Sequence, residues 1–269
     1  MSSFFDRITD AITNPAALQK SQVPNLVSQA KQCVESDPQA AIRLLTMAAK
    51  ADPDNVEVWT TLGEAYSDAN QSEDAVGAFE KVIALTPSSP VGYIGAGTEF
   101  LTLERYPEAE LRLMHGLLLE EDQDSVDLYN LALTLFHQEK DGQAIPFCEL
   151  VLKKGPDTDT EQLLADCFYD TDRFEEAIRH YERALLADPA NTHCSANLGY
   201  ALEQLERPQE AIKALESSLE HGAADAEVYG SLSRCYEAIG DEQNAEKMAN
   251  KYYEMNPPKE TQGATEPND

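Results

Sequence analysis

The stretch VEVWTTLGEAYSDANQSEDAVGAFEKVIALTP, residues 56–87, decides the fold. Trp59, Leu62, Gly63 and Tyr66 stand three, four and seven residues apart, so they share one face of a helix. Ala75, Phe79 and Ile83 repeat that spacing on a second helix, and Pro87 stops it. Small residues at Gly63 and Ala75 let the two helix backbones approach closely, while Trp59, Tyr66 and Phe79 fill the space between them. One such hairpin cannot bury both of its apolar faces, so it needs neighbours of its own kind.

Working outward, the same signature recurs along the chain. Alanines at Ala41, Ala75, Ala109, Ala144, Ala177, Ala211 and Ala245 are separated by 34, 34, 35, 33, 34 and 34 residues. Twelve residues after each stand Pro53, Pro87, Glu121, Pro156, Pro189, Ala223 and Pro257, five of them prolines placed where a helix should end. Upstream, Tyr93, Ala96, Gly97 and Phe100 take the places of Trp59, Leu62, Gly63 and Tyr66 in one unit, Leu128, Leu131, Ala132 and Leu135 in another. Leu164, Ala165 and Phe168, then Leu198, Gly199 and Leu202, then Tyr229, Leu232, Ser233 and Tyr236 continue the series.

These residues resemble the tetratricopeptide repeat, whose pattern is an aromatic, Leu-Gly, Tyr, then Ala, an aromatic, Ala and Pro. The resemblance implies an all-α fold, a right-handed superhelical α-solenoid of about seven helix-turn-helix repeats. Its units fall at about 22–55, 56–89, 90–124, 125–157, 158–191, 192–225 and 226–257. The first unit departs from the pattern: Asn25 and Ser28 stand where apolar residues belong, and shifting its first helix by one residue places Leu26, Ala30 and Cys33 inward, with a shorter turn at Ser36–Gln39. In the last helix Ala245, Met248, Ala249, Tyr252 and Tyr253 are expected to face inward, beneath a polar outer face that ends the stack.

Two segments lie outside the array. Residues 1–21 carry Phe4, Phe5, Ile8 and Ile12 on one face of a short amphipathic helix, which either caps the first repeat or docks into a groove of this or a second copy. Residues 258–269 have almost no apolar content and are expected to be a disordered tail.

Composition narrows the function. Lys and Arg total 20 against 49 Asp and Glu, a formal net charge of -29, which repels phosphate backbones and argues against nucleic acid as a partner. The acidity reads as a solvated surface or as a preference for a basic partner. No window approaches the ~20 apolar residues of a membrane span, and no secretory signal opens the chain, so a cytoplasmic protein is expected. Five dispersed cysteines suggest reduced thiols, and Cys148, Cys167, Cys194 and Cys235 fall at packing positions. The histidines are scattered without metal-ligand spacing and no phosphate-binding loop occurs, so no catalytic residue, metal or cofactor is expected and the chain reads as no enzyme.

The resemblance also implies where a partner binds, because in this family the first helices of successive hairpins line a concave groove. Carried over, the groove residues are Thr60 and Glu64; Ile94, Thr98 and Leu101; Tyr129, Leu133 and Phe136; Gln162 and Tyr169; Tyr200; and Arg234. Asn130 and Asn197 stand where some members hold a peptide backbone. The centre of this set is apolar and its flanks acidic, which suits a protein or peptide with apolar anchors and basic flanks. The function expected is therefore an adaptor or co-chaperone-like module, with a self-associating scaffold using the N-terminal helix as the alternative.

Overall fold

The computed structural model describes residues 19–257 except 35 and 224. The segment bearing Phe4, Phe5, Ile8 and Ile12 and the tail 258–269 lie outside the described residues. After a short turn of helix at Lys20–Gln22 come fourteen α-helices, and there is no strand among the described residues. In pairs they are α1 (Val23–Cys33) and α2 (Pro38–Ala51), α3 (Val56–Asp68) and α4 (Ser72–Leu85), α5 (Pro90–Thr102) and α6 (Tyr106–Leu119), and α7 (Ser125–Phe136) and α8 (Asp141–Lys154). Then follow α9 (Thr158–Asp170) and α10 (Phe174–Ala187), α11 (Thr192–Gln204) and α12 (Pro208–Glu220), and α13 (Ala226–Ala238) and α14 (Glu242–Met255). The chain forms two compact units, one ending at Val151 and the other starting at Leu152.

Each helix starts for a local reason. The first helices α3, α7, α9, α11 and α13 follow Asn55, Asp124, Asp157, Asn191 and Asp225, whose side chains accept a hydrogen bond from an otherwise orphaned N–H of the first turn. Several of the acidic residues therefore act as helix caps. Among second helices, α2 and α14 are capped in the same way by Asp37 and Asp241, whereas Arg105, Arg173 and Arg207 precede α6, α10 and α12 and pair with Glu108, Glu176 and Glu210 one turn on, at 2.8, 2.8 and 2.7 Å. The Arg105 and Arg173 guanidiniums also lie over the Phe100 and Phe168 rings, 4.5 and 4.3 Å from their centres.

Within hairpins the small residues perform the task the sequence assigns them. A Cβ on Gly63 would stand 2.8 Å from the Phe79 ring, and one on Gly199 would stand 2.5 Å from Leu215 Cγ. Neither position admits a larger side chain without moving a buried neighbour. Within each unit second helices pack on the next first helix, α4 on α5 and α10 on α11, and first helices meet across hairpins, α3 with α5, α5 with α7 and α11 with α13. Apolar clusters that span successive hairpins result, from Val23 and Leu45 to Val58 and from Phe79 to Phe100 in the first unit, and from Ile178 and Leu215 to Leu232 in the second.

Most face assignments hold, including Leu26 and Ala30 inside and Cys33 half-buried in the first hairpin. Tyr253 differs. It is 59% exposed, and Ala245 and Met248 are the residues of α14 that reach the interior.

One recurrent feature has no sequence signature. The residue that turns each first helix into its second is left-handed in six hairpins, at Asn70, Glu104, Glu139, Asp172, Glu206 and Gly240, with φ of 55–58° at the first five and 78° at the glycine. A left-handed non-glycine residue costs about 1–2 kcal/mol, so glutamate here is strained. Replacing Glu206→Gly should raise stability by about 0.5–1 kcal/mol, the relief being partly offset by the entropy of the unfolded glycine. Gly199→Ala should lower it by about 1–3 kcal/mol. Thermal unfolding followed by circular dichroism reads both, and a stabilising Gly199→Ala would contradict the close approach.

Candidate functional site

In the first unit the candidate surface is the row of first helices α3, α5 and α7. The side chains of Thr60, Ile94, Thr98, Leu101, Tyr129, Asn130, Leu133 and Phe136 are half-buried along it and Glu64 is exposed. The sequence reading treats the apolar members as bare, but neighbouring hairpins cover part of each. Ile94 lies over Gly116 of α6, so close that a Cβ there would stand 2.5 Å from its Cδ1, and Leu101 packs on the cluster around Phe79 and Phe100. More open apolar side chains sit elsewhere: Val126 at the start of α7 is 64% exposed, and Leu118 on α6 79%.

Polar residues of this surface bond from one hairpin to the next. Asn130 Nδ2 on α7 donates to Thr98 Oγ1 on α5 at 3.5 Å, and Ser67 Oγ on α3 donates to Glu99 on α5 at 2.5 Å. Glu99 is buried, an exception to the solvated surface expected for the acidic residues.

In the second unit the corresponding row, α9, α11 and α13, is mainly polar. Its centre is Asp166 on α9, a buried carboxylate that accepts from Tyr181 Oη at 2.6 Å, His193 Nε2 at 3.0 Å and Asn197 Nδ2 at 3.2 Å. Three donors from α10 and α11 thus satisfy one charge and tie two hairpins together. Gln162 accepts from Asn191 at 2.9 Å, and Arg234 on α13 grips Glu203 on α11 through Nε at 2.5 Å, with Ser231 donating to the same carboxylate. Tyr169 meets Phe174 edge-on, with ring centres 5.4 Å apart, and Tyr200 is half-buried, its hydroxyl pushed up to about 12 by burial.

Sequence reasoning places these residues on first helices, where they stand, but misses what they hold. Both asparagines are already engaged with a side chain of the preceding hairpin. Spacing within a helix reports a face, whereas these partners lie about thirty residues away.

Burial pushes the Cys148 and Cys194 thiols up to about 12 and Cys235 to about 11, so all three stay protonated and weakly nucleophilic at neutral pH. No cluster of three or more His, Cys, Asp or Glu among the described residues is arranged to hold a metal ion, and none of the described helices is long and apolar enough to cross a membrane.

Stacked helical hairpins with a capped first helix and a left-handed turn define a helical-repeat scaffold for protein interaction. The chain belongs to the tetratricopeptide repeat family, whose models match residues 35–93, 168–235 and 226–259. It is similar to the peroxisomal targeting signal receptor of Komagataella phaffii, 26% identical over 179 residues, which are 61% of this chain and 30% of the receptor. The TPR repeat-containing protein YpiA of Bacillus subtilis is 23% identical over 79% of this chain and 51% of its own length. This chain therefore spans only part of these relatives. Among solved structures, YrrB, described as a TPR protein with an unusual peptide-binding site, superposes with a TM-score of 0.62 at 20% identity over 66% of this chain and 92% of its own. The Cut9–Hcn1 assembly of the APC/C matches 89% of this chain and 51% of its own, with a TM-score of 0.53 at 16% identity.

The Asp166 cluster gives a pH prediction. The bond to Asp166 holds the His193 imidazole above its ordinary value of 6.5 against the opposing effect of burial. A raised histidine adds stability that is complete below the unfolded value and fades as pH rises through the folded one. Imidazole signals followed by NMR should place the His193 midpoint above 6.5, and Asp166→Asn should bring it down. An unchanged midpoint in that variant would remove Asp166 as the cause.

Proposed function

We propose that this chain is a non-enzymatic cytoplasmic adaptor that holds a partner protein segment along the first helices of its first unit. The observation that carries this reading is the set Leu101, Tyr129, Leu133 and Phe136. These apolar side chains remain half-open on two helices that pack against each other, α5 and α7, in a chain otherwise rich in surface charge. Such a surface loses water on contact and gains affinity in proportion to the apolar area covered. The net charge of -29 adds a preference for basic flanks on the partner and speeds its encounter. Relatives named as receptors for a targeting signal, and a structural neighbour described as peptide-binding, support a short segment rather than a broad protein face as the bound element.

The polar row of the second unit supports a different contribution. Its groups are satisfied by each other, so a partner there would exchange existing bonds rather than fill empty ones, which gives selectivity more than affinity.

The test is capture from native lysate by the wild type and by a variant with Tyr129, Leu133 and Phe136 changed to Ala. Being half-buried, each anchor contributes about 1 kcal/mol, below the about 1.5–3 kcal/mol of a fully buried one, so the triple change should weaken capture about a hundredfold. Helical circular dichroism should persist. Undiminished capture by a folded variant would reject this surface.

A further inference from the structure

A second recognition surface comes from comparing the seven hairpins with one another. On every second helix the residues two, five and nine places after the repeat alanine escape burial. In α2 they are Arg43, Thr46 and Lys50, and in α12 Lys213, Glu216 and Glu220. In α6 they are Leu111, Met114 and Leu118, exposed by 62%, 44% and 79%. Of the other six second helices, α10 alone puts a large apolar residue at any of these places, Leu186. Packing does not need the three, because Ala109, Leu113, Gly116 and Leu117 already fill the inward side of α6.

The spacing sets the shape that fits. Steps of three and four residues make the strip a short coiled-coil-like seam, about 10 Å long. An extended segment laid on it would find no free backbone group to bond, since α6 bonds its own. A helix satisfies its backbone internally and brings only side chains.

Charge sets what must flank it. Beyond Leu118 the joint EEDQD, residues 120–124, carries four carboxylates, whereas no other joint between hairpins carries more than two. Cations of these hairpins are engaged elsewhere, Arg112 with Glu80 at 2.8 Å and Lys140 with Glu110 at 2.6 Å, and none among the described residues pairs with Glu120, Glu121 or Asp124. The last turn of α6 has no basic residue to offset the negative end of the helix. Burial, Glu120 and Asp124 together push the Asp127 carboxyl up to about 6. A second copy of this chain, at a net charge of -29, brings no counter-charge, and the strip and joint are smaller than the about 20–30 residues a side of a stable dimer. Residues 1–18 bring Asp6 and Asp10 against Arg7, no surplus of cations.

We propose that α6 binds an amphipathic helix of a partner protein, whose apolar stripe covers Leu111, Met114 and Leu118 and whose lysines or arginines, just past the stripe, pair with Glu120, Glu121 and Asp124. This surface belongs to a second helix of the first unit and stands independently of the row around Tyr129.

The experiment titrates the full-length ¹⁵N-labelled chain with the peptide acetyl-KKKLAQLAAQLAQLKKK-amide, whose leucines follow the spacing of the strip and whose lysines reach the joint in either direction. Backbone amides are followed by NMR. Leu111, Met114 and Leu118 should shift, with a dissociation constant below about 1 mM. The same peptide ending in glutamates should bind about tenfold more weakly, and one with glutamine for leucine should leave α6 unmoved. Changing Leu111, Met114 and Leu118 to Gln, at exposed positions, should abolish the α6 shifts with helical circular dichroism intact, and Glu120→Gln with Glu121→Gln should weaken binding about tenfold. Undiminished binding at α6 by either folded variant, equal binding of the glutamate peptide, or no shift in α6 would overturn the proposal. So would α6 shifts that follow protein concentration without peptide, which assign the strip to a second copy, or α6 shifts on replacing Phe4, Phe5, Ile8 and Ile12 with serine, which assign it to the chain's own start.

Discussion

Everything in this molecule depends on how closely two helices approach inside a hairpin. At Gly63, Gly97 and Gly199 the facing helix comes so near that even a methyl group would collide with Phe79, Leu113 or Leu215. That approach leaves little space between the two helices, so a hairpin has almost no interior of its own. Its remaining apolar surface must be covered by the next hairpin, which is why the apolar clusters cross from hairpin to hairpin rather than stopping at each repeat. Stability is then a sum of neighbour contacts, and every hairpin both gives and receives support.

The same constraint shapes the recognition surfaces. Because second helices fill the spaces between successive hairpins, first helices are left side by side with one face toward solvent. What that face presents is set locally. In the first unit α5 and α7 offer Leu101, Tyr129, Leu133 and Phe136, while α9 and α11 in the second close around Asp166. One architecture therefore yields an apolar surface and a polar network by substitution at the same repeat positions.

How much of this the sequence carries depends on the range of the interaction. The alanine and proline period gives the helices, their pairing and most buried faces, because helix periodicity and chain stops are local. Tyr253 escapes, since of the residues that the helix period turns inward on α14 only Ala245 and Met248 are buried. The left-handed turns at Glu104, Glu139 and Glu206 are equally hidden: the bonds that close each first helix, such as Arg105 N–H to the Phe100 carbonyl at 2.8 Å, set a backbone angle that glutamate does not signal. Asp166 is hardest to read, because its partners come from α10 and α11, and only folding brings Tyr181, His193 and Asn197 to one carboxylate.

The most direct test is the helicity of a single isolated hairpin, residues 56–89, measured by circular dichroism at concentrations where it stays monomeric. Obligatory stacking predicts a largely unfolded peptide with no cooperative melting transition, since both of its apolar faces lack cover. A monomeric, fully helical hairpin that melts cooperatively would show that each repeat holds its own fold, and would contradict the account.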